Sequence, residues 1–432
     1  MPRDYDQKSI DLAVNTIKTL AMDGVQKANS GHPGTPMGLA DISFELWARY
    51  MKYDPKDPHW VGRDRFVLSN GHASMLLYSM LHITGYDLPM KELENFRQWD
   101  SKTPGHPESH MTVGVETTTG PLGQGVGNIV GFALAQRLCE ARFGEPFKDV
   151  RVFGICGDGD LMEGVSAEAS SLAGHLKLAN ICLIYDDNHI TIEGDTDLAY
   201  SDDAAKRYES YGWFVQKIDG HDHAQIRAAL DKATAEKDRP SFIVARTHIA
   251  HGAPNAHDTS EAHGAPLGDK EIALTKQGFG WDFPPFTVPK EVYALFAERA
   301  AENQKLHAAW SDRFTTWKKD HSDLAKQYDS FLAKEVPADL YEQLQKQLPE
   351  KEDATRNTSN AIQQIVAKLV PSLIGGSADL APSTKTLIKG SPSVNHGEFA
   401  GRNLHFGIRE HGMGSICNAM ALFGGIIPYG AT

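Results

Sequence analysis

The chain has 432 residues, enough for two or three domains around a large core. Charged residues make up 23% and hydrophobic residues 41%, an ordinary balance for a soluble globular protein. The formal net charge of −13 leaves no basic excess, which argues against nucleic acid as the main partner, and no apolar run approaches membrane-spanning length. An acidic chain that binds phosphate must do so locally, with loops, a metal and a few cations. The opening Met1-Pro2-Arg3-Asp4-Tyr5-Asp6 is charged and lacks a signal-peptide core. Cys139, Cys156, Cys182 and Cys417 show no metal or redox spacing. A soluble, cytoplasmic enzyme is the simplest expectation.

Residues 11–27 read as an amphipathic helix, and residues 40–50 as another. Arg65-Phe66-Val67-Leu68 reads as a strand entering the loop Ser69-Asn70-Gly71-His72. Residues 125–143 form a long helical stretch with small residues on one face. The apolar run 150–156 reads as a buried strand ending at Gly157-Asp158-Gly159. A helix over 162–176 and a second apolar run, 181–185, follow, the latter ending at Asn188. Strand, loop, helix, strand is the pattern of a right-handed βαβ unit. With a further strand at 240–246, the alternation predicts an α/β fold: a parallel sheet covered on both faces. Residues 289–347 are helical, charged and poor in glycine, and read as solvated helices. Residues 351–360 look like a polar linker into a new unit, which opens with a helix over 358–369 and a short strand over 373–376. The chain stops at Thr432, soon after a Gly-rich apolar segment, so the last αβ unit is expected to be unfinished and the chain to be a fragment or half of a split protein.

The Gly-Asp-Gly turn and Asn188 carry the sharpest chemical signal. The βαβ pattern predicts Asp158 and Asn188 at the carboxyl ends of two parallel strands, where α/β sheets bind ligands. A carboxylate, an amide oxygen and a loop carbonyl suit a hard cation such as Mg²⁺, with phosphate oxygens completing its shell. A lone Gly-Asp-Gly is far more often a surface turn; the strand before it and the Asn at the next strand end favour the metal site. His32, His72, His106 and His263 each sit in a tight Gly/Pro loop. A single loop histidine is usually just a surface residue, but four of them predict a polar site able to bind phosphate and move protons near neutral pH. None has metal-ligand spacing with another, which argues against zinc. The run Thr119-Gly120-Pro121-Leu122-Gly123-Gln124-Gly125 precedes the long helix and suits a diphosphate, although it is not a dinucleotide fingerprint. Glu410, in Gly407-Ile408-Arg409-Glu410-His411-Gly412, opens a helix of small and apolar residues. It is either a dipole-favoured acid or a carboxylate that shares a proton with a heterocycle nitrogen.

Together these motifs resemble the transketolases, within the thiamine diphosphate-dependent enzymes. Gly-Asp-Gly…Asn is shared by the whole superfamily. Ser-Gly-His-Pro-Gly, Ser-Asn-Gly-His-Ala-Ser and Gly-Ile-Arg-Glu-His are more specific. The resemblance covers the whole chain and implies a diphosphate-binding domain over 1–320, a helical linker over 321–352 and the first part of a pyrimidine-binding domain over 353–432. It implies that Asp158, Asn188 and the Ile190 carbonyl hold Mg²⁺ or Ca²⁺ against the diphosphate. His72, Gly120, Leu122, Gly159 and His263 would line the cofactor, and Asp379 would lie near its thiazolium. His32, His106 and His263 would contact sugar hydroxyls, with His32 and His263 moving protons, while Arg356 and Ser383 would grip the sugar phosphate. Glu410 would activate the aminopyrimidine. The implied reaction is reversible transfer of a two-carbon ketol unit from a ketose phosphate of the xylulose 5-phosphate type to an aldose phosphate of the ribose 5-phosphate type, in the pentose phosphate pathway. The family builds its site across a homodimer, with Glu410 facing the other subunit's diphosphate domain.

Family members continue well past Thr432, so the resemblance implies that this chain alone is weakly active or inactive. Dihydroxyacetone synthase and 1-deoxyxylulose-5-phosphate synthase share the cofactor machinery, although His106 and the stretch 289–347 fit a transketolase better than the latter. A non-catalytic half of a split enzyme is the alternative from another class. A dehydrogenase would need a glycine fingerprint after a strand, and none is present.

Overall fold

The computed structural model describes residues 4–348 and 352–432. Five strands form the main sheet: β1 (Arg65–Leu68), β2 (Val152–Gly157), β3 (Ile181–Asp187), β4 (Phe214–Asp219) and β5 (Ser241–Arg246). They lie in the order β1-β2-β3-β5-β4, and every neighbouring pair is parallel. β2, β3 and β5 read as continuous apolar runs because helices bury both of their faces. One face packs on the helix Gln124–Phe143, through Val126, Ile129 and Val130. On the other side, the helix Gln7–Ala28 contributes Ile17 and Leu20 to the core cluster that takes in Phe66, Ile155 and Ile184. That first helix starts where the Asp6 carboxylate accepts from Ser9 N (2.9 Å) and stops at Asn29, which is left-handed with φ 50°.

A smaller sheet follows, made of β6 (Leu373–Ser377), β7 (Asn403–His405) and β8 (Ile427–Ala431) in the parallel order β7-β6-β8. The segment expected to be an unfinished unit supplies β8, which pairs with β6 over its full length. The two parts meet along the helices Gln124–Phe143 and Glu410–Phe423. Their approach needs glycine: a Cβ on Gly127 would lie 2.3 Å from Ser415 Oγ, and one on Gly131 would lie 2.4 Å from Ile416 O. Asn128 pins the crossing by donating to Ser415 O (2.9 Å) while accepting from Thr117 (2.8 Å).

The structure corrects several sequence expectations. The helix expected over 162–176 begins earlier, at Asp158, and breaks at Glu163 (ψ 132°) into Asp158–Met162 and Gly164–Leu176. Residues 40–50 are an α-helix (Ala40–Glu45) continued by one π-helical turn (Leu46–Tyr50). The linker expected over 351–360 is already helical from Thr355, in Thr355–Leu369; residue 351 lies outside the described residues. The helices Lys290–Asp320 and Ser322–Leu332 are largely solvated, as expected, but not wholly. Phe296 and Trp317 are buried, and Tyr328 and Phe331 pack edge-on against Phe143 in the main core. β4 escaped the sequence reading because it is a half-exposed edge strand with polar residues interleaved. Among the described residues, no helix is long and apolar enough to cross a membrane.

Candidate functional site

The carboxyl ends of β1, β2 and β3 open into a cavity of about 300 Å³. Three loops reach it, because each strand must hand the chain to a covering helix at that end. The turn after β1 brings Asn70 and His72. The turn after β2 brings Asp158 and Gly159. The turn after β3 brings Asn188 and Ile190. Irregular segments add His32, His106, Gly120 and Leu122, and the short helix Glu261–Gly264 adds His263. A larger cleft of about 530 Å³ lies at the opposite, amino ends of the strands, among Asp64, Arg151 and Asn180, away from all of these side chains.

One wall of the cavity is anionic. Register sets it: Gly157 pairs with Asp186 across β2 and β3, so Asp158 and Asp186 end up side by side. Tyr185 donates its hydroxyl to Asp158 Oδ1, and Thr247 donates to Asp186. Asn188 donates to Asp186 Oδ2 (2.9 Å), and its own oxygen accepts from Ile190 N (2.9 Å). Burial and the neighbouring charges of Asp186 and Asp187 push the Asp158 carboxyl up to about 7, against the Tyr185 hydrogen bond. Burial pushes Asp186 up to about 6. Asp160 lies beneath the turn and is fully buried. It accepts from Ser69 Oγ (2.6 Å), Gly123 N (2.8 Å) and Gly157 N (2.9 Å), tying three site loops together.

Four imidazoles line the same cavity. The His32 ring centroid lies 5.0 Å from that of His72, 5.6 Å from His263 and 6.5 Å from His106, and His72 stacks on His263 at 5.0 Å. Burial lowers the affinity of all four rings for protons; it is joined at His32 by the charges of His263, Arg97 and His106, which leave that ring at about 4. Neutral imidazoles accept protons and donate single hydrogen bonds at pH 7. The lining is also short of partners. Both side-chain atoms of Asn70, Nδ1 of His32 and Nδ1 of His263 are buried without a hydrogen bond. Such atoms call for a polar ligand. The floor is shaped for close approach, since a Cβ on Gly159 would lie 2.7 Å from Leu122 Cδ1.

Ten sequence-selected residues thus share one cavity: His32, His72, His106, Gly120, Leu122, Asp158, Gly159, Asn188, Ile190 and His263. Four others do not reach it. Asp379 is exposed, has φ 65°, and lines a separate cleft with His175 and Arg409. Arg356 and Ser383 are exposed, and Glu410 is exposed at the start of its helix. Sequence reasoning missed Asn70, Asp160, Tyr185 and Asp186. Each sits within two residues of a motif that was read, but only the folded contacts reveal that they reach the site. Arg97, whose φ is 60°, stands beside His32 and His106 and had no local signal.

A two-sided parallel sheet with a cleft of carboxylates, amides and imidazoles at its strand carboxyl ends is the place where α/β folds bind ligands. Comparison with known proteins makes the class specific. The family model "Transketolase, thiamine diphosphate binding domain" matches residues 9–337, and "Transketolase, pyrimidine binding domain" matches residues 351–432. The chain belongs to the transketolase family. It is 49% identical to transketolase 2 of Escherichia coli, covering 98% of this chain and 64% of that protein. It is 48% identical to the transketolase of Halalkalibacterium halodurans, with the same coverage. Among solved structures, transketolase from Leishmania mexicana superposes with a TM-score of 0.94 at 40% identity. A Pichia stipitis transketolase described as a complex with sedoheptulose 7-phosphate superposes with a TM-score of 0.93 at 43% identity. Each match covers 98% of this chain and 64% of the solved one. The chain therefore spans just under two thirds of the length of these relatives.

Proposed function

We propose that the cavity binds thiamine diphosphate through Mg²⁺ (or Ca²⁺), and that the protein works as a transketolase on sugar phosphates. The observation that carries this reading is the convergence of Asp158, Asn188 and Ile190 with four neutral imidazoles on one cavity. The fit is chemical as well as spatial. Unpartnered atoms of Asn70, His32 and His263 need polar partners, and Gly159 leaves room beside Leu122. When bound, the cofactor supplies a nucleophilic thiazolium carbon and an electron sink.

The chain's own residues supply the rest. Asp158, Asn188 and the Ile190 carbonyl hold the cation, a hard oxygen set with phosphate oxygens to complete it. His72, Gly120, Leu122, Gly159 and His263 line the cofactor. His32, His106 and His263 orient sugar hydroxyls, and His32 and His263 move protons on them; a low proton affinity keeps both rings ready to accept. Glu410 would hold a proton at the cofactor's pyrimidine, and Asp379 would lie near its thiazolium. Arg356 and Ser383 grip the sugar phosphate. These last four lie off the cavity of their own chain, which fits the homodimer that the family resemblance implies, with each chain completing the other's site. The donor is a ketose phosphate of the xylulose 5-phosphate type and the acceptor an aldose phosphate of the ribose 5-phosphate type, placing the enzyme in the cytoplasmic pentose phosphate pathway. We take 1–320, 321–352 and 353–432 as its diphosphate, linking and pyrimidine segments.

Two substitutions separate these roles. In a full-length context, Asp158→Ala should abolish Mg²⁺-dependent binding of thiamine diphosphate, while Glu410→Ala should leave that affinity largely intact and remove ketol transfer. Undiminished binding by Asp158→Ala, or undiminished transfer by Glu410→Ala, would overturn the corresponding assignment.

A further inference from the structure

The loop after β5 carries another histidine group, outside the cavity just described. His248, His257 and Asp258 bring one ligand atom each to within 4.8 Å of one another. His248 Nδ1 lies 2.7 Å from Asp258 Oδ2, and His257 Nε2 lies 3.4 Å from the same oxygen. The two rings are nearly parallel, with centroids 4.9 Å apart. Asp258 Oδ1 is buried and has no hydrogen-bond partner. A tetrahedral ion with bonds of about 2.0–2.1 Å sets its donors about 3.3 Å apart. The two observed separations bracket that value.

The backbone presents the carboxylate without help from the side chain's own freedom. Asp258 is left-handed (φ 54°), a conformation that Asp tolerates better than most residues, and its N–H donates to Ile249 O (3.1 Å). The loop therefore closes on itself where His248 and Asp258 meet. The side chains of His248, His257 and Asp258 are 37%, 38% and 35% exposed, so one side stays open to water or a further ligand.

A neighbouring group shows the contrast. Asp41, His221 and His251 are equally close together. There, Lys18 Nζ lies 3.1 Å from His251 Nδ1 and 3.7 Å from Asp41, while His221 and His223 contact the same carboxylate at 3.0 and 3.2 Å. An ammonium already fills the place of a cation, so that group is a structural ion cluster. Lys18 makes no such contact with Asp258.

We propose that His248, His257 and Asp258 form a binding site for a transition-metal ion of the Zn²⁺ class, separate from the hard-cation site at Asp158. Two imidazoles, one carboxylate and an open position suit Zn²⁺ or Co²⁺ rather than Mg²⁺. The site would act on the loop as a clip. His263 follows Asp258 by five residues, and the intervening turn is already tight: Ala262 N donates to Thr259 O and His263 N to Ser260 O, both within 3.3 Å. A bound ion would stiffen the segment that delivers His263 to the cavity. The site itself stands whether or not the cavity takes thiamine diphosphate.

The test is a titration of the purified chain with Co²⁺ in excess Mg²⁺, followed by visible absorption. The variants are His257→Gln and Asp258→Asn, with His110→Gln as an exposed control elsewhere. His257 is exposed and Asn accepts a left-handed backbone, so both variants should fold, which circular dichroism checks. The expected result is one equivalent of Co²⁺ with the intense spectrum of a four- or five-coordinate site, displaced by Zn²⁺. Affinity should fall at least about tenfold in each site variant, the least that loss of even an outer-shell partner costs at metal sites, and should be unchanged in the control. Unchanged affinity in both site variants, or only the weak spectrum of six-coordinate Co²⁺, would overturn the proposal.

Discussion

Asp160 carries more of the site's architecture than any residue that lines the cavity with it. Its two oxygens accept from Ser69, Gly123 and Gly157, one residue from each loop that shapes the diphosphate end. Asp160→Ala would leave these buried donors without an acceptor. It is expected to cost about 2–4 kcal/mol in urea unfolding, since each buried donor left unsatisfied costs about 1–3 kcal/mol. Two histidines set opposite pH arms. His32 is depressed to about 4, so the unfolded chain binds its proton first as pH falls below about 6.5, and stability is lost from there toward 4. His223, held between Asp41 and Glu45, is raised to about 9, so its contribution is complete below about 6.5 and disappears as pH rises through 9. Urea midpoints measured from pH 4 to pH 9 should show His32→Asn flattening the acid arm and His223→Gln flattening the alkaline arm. Unchanged slopes would contradict both assignments.

At the scale of elements, the contact between Gln124–Phe143 and Glu410–Phe423 joins the two sheets. Its geometry rests on glycine at 127 and 131, where no side chain fits. Gly131→Ala puts a methyl group against the Ile416 carbonyl, a backbone atom that cannot rotate away. It is expected to lower stability by about 1–3 kcal/mol, whereas Gly164→Ala, with open space around it, should be far milder. Thermal unfolding of the two variants checks this. The sequence made the buried strands and the long glycine-bearing helix legible because each is a local apolar pattern. It did not reveal the break at Glu163, although Gly164 beside it is a weak helix former, nor β4, whose edge position leaves an interleaved polar pattern. The π-helical turn at Leu46–Tyr50 likewise has no sequence signature.

At the scale of the molecule, the candidate site was legible where chemistry sat in short motifs. Asp158, Asn188 and the four loop histidines were selected from their flanks, and the fold brings all six to one cavity. Asn70, Tyr185 and Asp186 became visible only in the fold, where register sets Asp186 beside the Asp158 turn, Tyr185 donates to Asp158 and Asn70 lines the cavity. The histidine group at 248–258 was illegible for the same reason, because a left-handed Asp258 and a closed loop are properties of the fold. The central claim is that this cavity binds a diphosphate through a divalent cation. It is tested most directly by calorimetric titration of the 432-residue chain with thiamine diphosphate, in Mg²⁺ and again in EDTA. Saturable binding in Mg²⁺ that disappears in EDTA is the expected result; equal binding in both, or none in Mg²⁺, would contradict it.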